Sequence, residues 1–378
     1  MADLDIHRVL AERMFSVSSL KKVMVILGPR QVGKTTLLRQ ITRGREDVLS
    51  FDCDNMDDRL ALENKTKTEL AALVGKSPVV IIDEAQKVRN IGTTLKMLGD
   101  LRLDAQIYVT GSSSLDLANE INEPATGRLL EFPLYPLSLQ EIAQHTSWRE
   151  EKRLINQRMI FGTYPEIVSH PEHAQMLLLN IVNSYLYKDI LEYKGIKKPD
   201  VLRKLVIALA LQVGSEVSYN ELSNMLGVDK ETVENYIDLL EKCFVVFRLD
   251  SFSRNLRSEI KKGKKIYFLD NGVRNAVINN FAPMDMRNDA GILWENLMMI
   301  ERRKRNAWSG QCSTQYFWRT QRQQEVDLIE EKDGVLSAYE FKWKPGKIAN
   351  LPQPFQEAYP QTKIITVTPD NYQNFVSF

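Results

Sequence analysis

A short stretch near the N-terminus has residue types and a spacing that suit phosphate chemistry. From Gly28 to Thr35 the sequence reads G-x-x-x-x-G-K-T. The two glycines allow a loop whose backbone N–H groups point inward, where they can donate to phosphate oxygens. The Lys34 ammonium places a positive charge on the β- and γ-phosphates of a nucleotide, and the Thr35 hydroxyl is a ligand for Mg²⁺. The predicted phosphate-binding residues are Gly28, Pro29, Arg30, Gln31, Val32, Gly33, Lys34, Thr35 and Thr36.

A second acidic motif completes this predicted site. Residues 78–86 read PVVIIDEAQ, an apolar run that ends in Asp83 and Glu84. A buried parallel strand would deliver Asp83 at its carboxyl end, where the carboxylate can support Mg²⁺. Glu84 beside it can orient or deprotonate the attacking water. Together the two motifs predict ATP and Mg²⁺ as ligands of this part of the chain.

These side chains need a parallel sheet to position them. Apolar runs at residues 23–27, 48–51, 79–82, 106–110 and 129–134 predict its strands, with helical segments between them. Residues 5–16 predict a short amphipathic helix ahead of the first strand. Alternation of strands and helices is typical of an α/β fold.

Length and composition limit the class of protein. The chain has 378 residues, of which 43% are hydrophobic and 26% charged, as in globular proteins with two to four domains. Fifty basic residues against 49 acidic ones give a net charge of +1, so any preference for nucleic acid must be local. The three cysteines, Cys53, Cys243 and Cys312, are too far apart for a disulfide framework. No signal peptide or apolar run of spanning length is present, which predicts a cytoplasmic protein without a membrane partner.

The middle of the chain is predicted to be mainly helical. Residues 138–196 contain a helix joint at 161–165 and a long amphipathic helix at 180–191. Residues 201–250 then predict a winged helix, with capping residues Ser218 and Asp229 ahead of its two final helices and a strand at 244–250. The helix at 230–242 is net negative, which disfavours its insertion into a DNA groove and favours packing or a protein contact.

Two basic runs, at residues 261–265 and 302–305, are the local features that favour DNA. They could follow a phosphate backbone as a wing tip and a rim, or they could be ordinary solvated faces.

The last hundred residues contain a second candidate site. Their predicted order is a helix at 290–303, strands at 315–319, 325–330 and 336–343, a helix at 353–358 and a strand at 363–368. Strand alternation places Glu340 and Lys342 on one face, where Asp327 and Glu295 could join them. This set suits Mg²⁺ bound at a scissile phosphate, and it suits equally an ion-paired face on an inactive scaffold. The order of elements and these four residues resemble restriction-endonuclease-like domains.

Motifs along nearly the whole chain resemble those of prokaryotic AAA-type ATP-binding proteins with a C-terminal domain of unknown function. The motifs are GPRQVGKTT from Gly28, IDEAQKV from Ile82, TGSSS from Thr110, GR at 127–128, YPLS from Tyr135, FGTYPEIV from Phe161, YKDI from Tyr187, FSRNLRSEI from Phe252, YFLDNG from Tyr267, FWRT from Phe317, EVDLI from Glu325 and YEFK from Tyr339.

This resemblance implies roles for three further residues. Ser112 or Ser113 follows the strand beside the Asp83 strand, where an AAA-type ATPase senses the γ-phosphate, although either serine could instead cap the helix that begins near Leu115. Arg128 matches the junction from which an arginine finger reaches into a neighbouring subunit. The resemblance therefore implies a homo-oligomer, with a ring as one form.

The sequence thus predicts a P-loop AAA-type ATPase core at 1–137, a helical lid at 138–200, a winged helix at 201–270 and a restriction-endonuclease-like α/β domain at 271–378. The expected function is hydrolysis of ATP-Mg coupled to a C-terminal module, with DNA as the favoured partner. The alternatives are an ATP-gated DNA nuclease using Asp327, Glu340 and Lys342, and an ATP-dependent signalling switch that binds a protein.

Overall fold

The computed structural model describes most of the chain in two compact units. The described residues are 5–111, 127–190, 196, 198–253, 263–311, 313–320, 322–344, 346 and 350–378. The first unit contains Met1–Leu137 and Lys242–Phe244, and the second contains Ser138–Glu241 and Val245–Phe378. The predicted lid, winged-helix and endonuclease-like segments lie mainly in the second unit.

A parallel sheet forms the centre of the first unit. Its strands are β1 (Val23–Leu27), β2 (Val48–Asp52), β3 (Val79–Asp83), β4 (Gln106–Gly111) and β5 (Leu129–Pro133). Their order in the sheet is β2-β3-β4-β1-β5, and every neighbouring pair is parallel. All residues of β1 and β4 are buried, because strands covered on both faces require continuous apolar runs. The predicted α/β fold is confirmed.

Among the residues that the structure describes, five α-helices accompany this sheet: α1 (Val9–Ser16), α2 (Lys34–Ile41), α3 (Met56–Leu62), α4 (Lys67–Val74) and α5 (Ile91–Asp100). Local signals begin two of them. The Asn55 side chain accepts the Asp57 N–H at the start of α3, and Thr66 and Glu69 form a capping box at the start of α4. Helix α2 begins directly at Lys34, so the loop at 28–33 joins it to β1 without a spacer.

The second unit begins with helices α6 (Leu139–His145), α7 (Trp148–Phe161), α8 (Pro165–Ser169) and α9 (Ala174–Ile181). The predicted joint at 161–165 separates α7 from α8, and the Asp270 carboxylate fixes it by accepting the Thr163 N–H at 2.8 Å. The predicted helix at 180–191 is helical over residues 180–189, but it is not α-helical throughout, and Leu191 lies outside the described residues. Helix α9 ends at Ile181, and a π-helix follows over Val182–Asp189, a wider turn that breaks the 3.6-residue repeat assumed in the prediction.

A seven-stranded mixed sheet spans the rest of the second unit. Its strands are β6 (Glu216–Val217), β7 (Val246–Ser251), β8 (Lys264–Phe268), β9 (Thr314–Arg319), β10 (Glu325–Lys332), β11 (Val335–Phe341) and β12 (Lys363–Val367). The order is β12-β11-β10-β9-β7-β8-β6. Strands β7 and β9 pair in parallel, with Ser251 opposite Phe317. The strands of the predicted winged helix and those of the predicted endonuclease-like domain therefore belong to one sheet.

The remaining helices are α10 (Pro199–Leu211), α11 (Tyr219–Leu226), α12 (Lys230–Lys242), α13 (Asn271–Val277), α14 (Ala290–Ser309), α15 (Gln353–Ala358) and α16 (Tyr372–Val376). Helix α14 has 20 residues and buries Trp294, Leu297 and Trp308 among others, so it is a core helix of this unit. Among the residues that the structure describes, no helix combines the length and apolar character needed to cross a bilayer.

Candidate functional site

The loop between β1 and α2 has the backbone geometry of an anion-binding turn. Gln31 and Gly33 have φ values of 61° and 95°, and this left-handed backbone allows successive N–H groups to converge on one side. A β-carbon at Gly28 would overlap the carbonyl oxygen of Leu134, so only glycine fits there. The conformation and the donor groups of this loop therefore fit a phosphate group.

Lys34 lies buried against the same loop. Its side chain is 5% exposed, and Nζ donates to the carbonyl oxygens of Gly28 and Pro29, at 3.2 Å each. The carboxylate oxygen Oε1 of Glu84 lies 3.7 Å from Nζ. Burial lowers the pKa of Lys34, and the nearby Glu84 and Asp83 carboxylates oppose that shift.

The two predicted magnesium ligands contact each other directly. Thr35 Oγ1 donates to Asp83 Oδ2 at 2.9 Å, although 48 residues separate them in sequence. Because β3 and β1 are both parallel strands of this sheet, their carboxyl ends bring the acidic motif to the phosphate loop. Mg²⁺ in nucleotide sites is held by one or two protein ligands together with substrate phosphates and water, and this pair suits that pattern.

Thr110 is a site residue that the sequence analysis missed. It is fully buried at the end of β4, where its hydroxyl donates to Asp83 Oδ1 and accepts the Glu84 N–H at 2.9 Å. One hydroxyl therefore orients both acidic residues. The available signal in the sequence was a polar residue after the strand sequence QIYV, two residues before Ser112.

Glu84 itself has a left-handed backbone, with φ of 51°. Its Oε2 accepts a hydrogen bond from Gln86 Nε2 at 2.6 Å, while Oε1 faces Lys34. The structure thus places Lys34, Thr35, Asp83 and Glu84 together. A non-glycine residue at this φ is uncommon and is enriched at functional sites.

The remaining predicted residues of this site differ in outcome. Ser112 and Ser113 lie outside the described residues. Arg128 precedes β5, and its Nε forms an ion pair with Asp100, which Lys67 Nζ also contacts at 3.1 Å. The guanidinium is 36% exposed, so it remains accessible from solvent while this ion pair holds it.

The predicted carboxylate and lysine set of the second unit is also brought together. Lys342 Nζ lies 2.6 Å from Glu340 Oε2 and 3.8 Å from Asp327 Oδ2. Asp327 Oδ2 also accepts the Phe341 N–H at 2.9 Å. Burial and the neighbouring Asp327 raise the pKa of Glu340. Burial lowers the pKa of Lys342, but the Asp327 and Glu340 carboxylates, together with Glu295, raise it above its usual value.

Lys265 is a further member of this cluster, and its predicted role is wrong. The basic run at 261–265 was predicted to follow a phosphate backbone or to be an ordinary solvated face, and its residues Lys261 and Lys262 lie outside the described residues. The Lys265 side chain is only 2% exposed, with Nζ 3.3 Å from Glu295 Oε1 and in an ion pair with Glu325. The Tyr267 hydroxyl donates to the same Glu295 oxygen at 2.7 Å. Lys265 therefore neutralises carboxylates inside the unit.

Two members of the second basic run, Arg302 and Lys304, are likewise buried and paired. The Arg302 guanidinium is buried in an ion pair with Glu330 and donates to the Phe375 carbonyl oxygen at 2.8 Å. Lys304 is 1% exposed and bonds to Glu301 at 2.7 Å. This run lies within α14 and contributes ion pairs to the interior.

Among the described residues, no group of three or more His, Cys, Asp or Glu side chains is arranged to hold a metal ion. In the cluster of the second unit, lysine ammonium groups lie between the carboxylates. In the first unit, the protein supplies two of the predicted Mg²⁺ ligands, Thr35 and Asp83. In a nucleotide site, phosphate oxygens and water supply the others.

Similar proteins provide independent information on the domain composition. Family models match an AAA domain at residues 20–143, a domain of unknown function (DUF8612) at 152–283 and a domain of unknown function (DUF4143) at 290–376. An uncharacterized protein of Mycobacterium tuberculosis is 26% identical over 345 residues, covering 88% of this chain and 74% of the relative. An uncharacterized protein of Methanocaldococcus jannaschii is 26% identical over 350 residues, covering 85% of this chain and 75% of the relative.

Among solved structures, the Walker-type ATPase of Pyrococcus abyssi aligns with a TM-score of 0.48 and 14% sequence identity, covering 71% of this chain and 94% of that chain. The matched AAA domain contains the phosphate loop, Asp83 and Glu84, and the last matched domain contains Asp327 and Glu340. The chain is therefore a P-loop protein with an AAA domain and a C-terminal domain of unknown function, as its motifs predict.

Proposed function

We propose that the first unit binds ATP with Mg²⁺ and hydrolyses it. The observation that supports this proposal best is the hydrogen bond between Thr35 and Asp83, which joins the two halves of the predicted site. Lys34 and Glu84 lie beside this pair, 3.7 Å apart. A positive group that binds the phosphates, a cation-binding pair and a carboxylate base are the three parts that phosphoryl transfer to water requires.

In the proposed mechanism, Gly28 to Thr36 hold the phosphates and the Lys34 ammonium neutralises charge on the β- and γ-phosphates. Thr35 and Asp83 would hold Mg²⁺, which when bound offsets charge on the phosphate oxygens. Glu84 orients a water molecule and takes its proton as the water oxygen bonds to the γ-phosphorus. The bond from that phosphorus to the bridging oxygen breaks, and the products are ADP and inorganic phosphate.

The proposal includes Ser112 or Ser113 as the γ-phosphate sensor and Arg128 as a residue that acts on the site of a neighbouring subunit. A homo-oligomer follows from this role of Arg128. Its ion pair with Asp100 would hold the guanidinium near β5 and would be exchanged for phosphate contacts in the assembled site.

Measurement of phosphate release tests the proposed function. At saturating ATP we expect turnover in the presence of Mg²⁺ and a decrease of at least about a hundredfold when EDTA removes it, since the charge on the phosphates is then not neutralised. Binding of a fluorescent ATP analogue should be measured in parallel. Turnover that is unaffected by EDTA, or failure to bind the analogue, would contradict the proposal.

The proposal extends to coupling between nucleotide state and the C-terminal module. Burial and ion pairing of Lys265, Arg302 and Lys304 weaken the case for DNA that the two basic runs provided. The exposed acidic residues Glu231 and Glu234 of α12 would repel a phosphate backbone. These observations favour a signalling switch with a protein partner over a protein that follows DNA.

The cluster around Asp327 supports a second candidate function, metal-dependent cleavage of DNA. Lys342 lies within ion-pair distance of both Asp327 and Glu340. This candidate requires a metal ion to displace the Lys342 ammonium from at least one carboxylate.

Substitution of Asp327 tests this candidate. If the cluster cleaves DNA, Mg²⁺- or Mn²⁺-dependent nicking of plasmid should decrease at least about a hundredfold in Asp327→Asn, because the change removes a metal-binding charge. Asp333→Asn is the matched control, since Asp333 is exposed in the β10–β11 turn with φ of 51°, a conformation that asparagine tolerates. No cleavage by the parent, or equal cleavage by both variants, would contradict nuclease activity.

A further inference from the structure

Arg8 makes an unusual set of contacts in the first unit. It is the residue before helix α1, and its side chain is 2% exposed. Nη1 donates to the carbonyl oxygen of Val32 at 2.9 Å, and Nη2 donates to the carbonyl oxygen of Tyr135 at 2.6 Å. The two arms of one guanidinium thus hold two backbone segments that are far apart in sequence.

The contact with Val32 determines the direction of the Gly33 N–H, which is predicted to donate a hydrogen bond to phosphate. The carbonyl of Val32 and the N–H of Gly33 belong to one peptide group, and the described chain has no cis peptide bond. In a planar trans peptide the C=O and N–H vectors point in opposite directions. Because Arg8 binds the Val32 carbonyl oxygen, the Gly33 N–H points away from Arg8.

The segment that carries Arg8 also holds the helix after the loop. Gln40 in α2 accepts the Arg8 N–H through Oε1 at 3.1 Å, and its Nε2 donates to Asp5 Oδ1 at 2.7 Å. Asp5 forms a further ion pair with Arg43. The N-terminal segment therefore contacts both the phosphate loop and α2, so the loop cannot shift without losing these contacts.

The contact with Tyr135 extends this arrangement to the end of the first unit. Tyr135 follows β5, and the first segment of this unit ends two residues later at Leu137. A guanidinium has a rigid, planar donor arrangement, so movement of one carbonyl oxygen alters the hydrogen bond to the other. The orientation of the Val32 peptide is thereby linked to the chain segment that leaves this unit.

We propose that Arg8 is a positioning residue of the nucleotide site, which orients the Gly33 N–H for the phosphates through the Val32 carbonyl. This inference rests on the proposed function, because it assigns a role in that same site. It adds the N-terminal segment, which lies before the phosphate-loop motif, to the nucleotide-binding machinery.

The test is Arg8→Lys, with ATP turnover and binding of a fluorescent ATP analogue as readouts. Lysine retains the charge but cannot hold two carbonyl oxygens in the same fixed geometry. Because the Gly33 N–H contacts phosphate in both the ground state and the transition state, KM and the Kd of the analogue should rise about tenfold while kcat changes less than about twofold. Arg8→Ala should show a larger increase in both constants.

Arg13→Lys is the matched control, since Arg13 lies in the adjoining helix α1 and has no contact with the loop assigned to it; it should leave KM and Kd unchanged. A merely structural role of Arg8 would lower the active fraction, so kcat would fall and KM would stay constant. KM and Kd of Arg8→Lys within about twofold of the parent would overturn the inference. A parent that fails to bind the analogue would instead contradict the proposed function, and the inference with it.

The Gly33 amide resonance provides a measurement that does not require a variant to fold. If circular dichroism shows that the Arg8 variants unfold, the proposed orientation is tested on the ¹⁵N-labelled parent protein instead. We expect the Gly33 amide proton to shift downfield when a non-hydrolysable ATP analogue binds, because its N–H then donates to phosphate. An unchanged Gly33 resonance in a protein that binds the analogue would overturn the proposed orientation.

Discussion

Replacement of Lys34 with methionine is expected to lower kcat/KM for ATP by about a hundred- to a thousandfold, the typical effect of removing one donor to transition-state charge from a water-excluded site. The Lys34 ammonium is 5% exposed and lies between the loop carbonyl oxygens and Glu84. Its interaction with the transferred phosphoryl group is therefore weakly screened by water. Methionine retains the buried stem and removes only the charge, which limits the cavity that alanine would leave.

Steady-state phosphate release over a range of ATP concentrations measures this effect. Lys67→Met is the matched control, because Lys67 is 53% exposed and its partner is Asp100 at the surface. Exposed ion pairs contribute little to stability, so the control should resemble the parent in both turnover and melting temperature. Parent-like turnover of the Lys34 variant would show that ATP is hydrolysed elsewhere in the chain, or by a contaminant.

Replacement of Glu84 with glutamine should separate ATP binding from turnover. Glutamine preserves the size of the side chain but cannot accept the proton of water, so kcat should fall by about a hundred- to ten-thousandfold. The phosphate-binding groups of the loop are unchanged, and the Kd of an ATP analogue should stay within about threefold. Glu46→Gln, at an exposed position of the same unit, is the matched control.

The pH dependence of this variant gives a second readout with a definite sign. Burial lowers the pKa of Lys34, and the Glu84 carboxylate counteracts that shift. Removal of this negative charge should lower the pKa of Lys34 further, so ATP affinity should begin to decline at a lower pH than in the parent. Equal turnover of variant and parent would exclude Glu84 as the base. If turnover is lost but ATP affinity declines at the same alkaline pH as in the parent, the side chains of Lys34 and Glu84 do not interact in solution.

Most elements near the candidate sites could be predicted from local patterns. The helix at Gln353–Ala358 has the predicted bounds, and β3 ends at Asp83 as the apolar run VVII indicates. Strand β11 ends at Phe341, two residues earlier than predicted, although the Lys342 N–H still donates to the Val367 carbonyl oxygen at 3.0 Å. Strand ends depend on pairing with a neighbouring strand, which the local sequence pattern does not describe.

The burial of three basic side chains could not be predicted from the local sequence. Lys265, Arg302 and Lys304 occur in basic runs, which usually indicate solvated faces. The partners of Lys265 and Arg302 are Glu295, Glu325 and Glu330, which lie elsewhere in the sequence and become neighbours only in the folded unit, whereas Lys304 pairs with Glu301 on its own helix. Whether a lysine is exposed or neutralised in the interior depends on these long-range contacts, and no local pattern reports them.

The sequence by itself determined the phosphate loop, because its chemistry depends on residues within one turn whose types and spacing are directly visible. It also indicated Asp83 and Glu84, since a buried strand ending in acids has a local signature. Only the tertiary structure decided what surrounds them. Thr110 orients both acids from a neighbouring strand, and Arg8 reaches the loop at Val32 across 24 residues. Those contacts exist because the parallel sheet brings strand ends together, an arrangement that depends on packing of the whole unit rather than on any one segment.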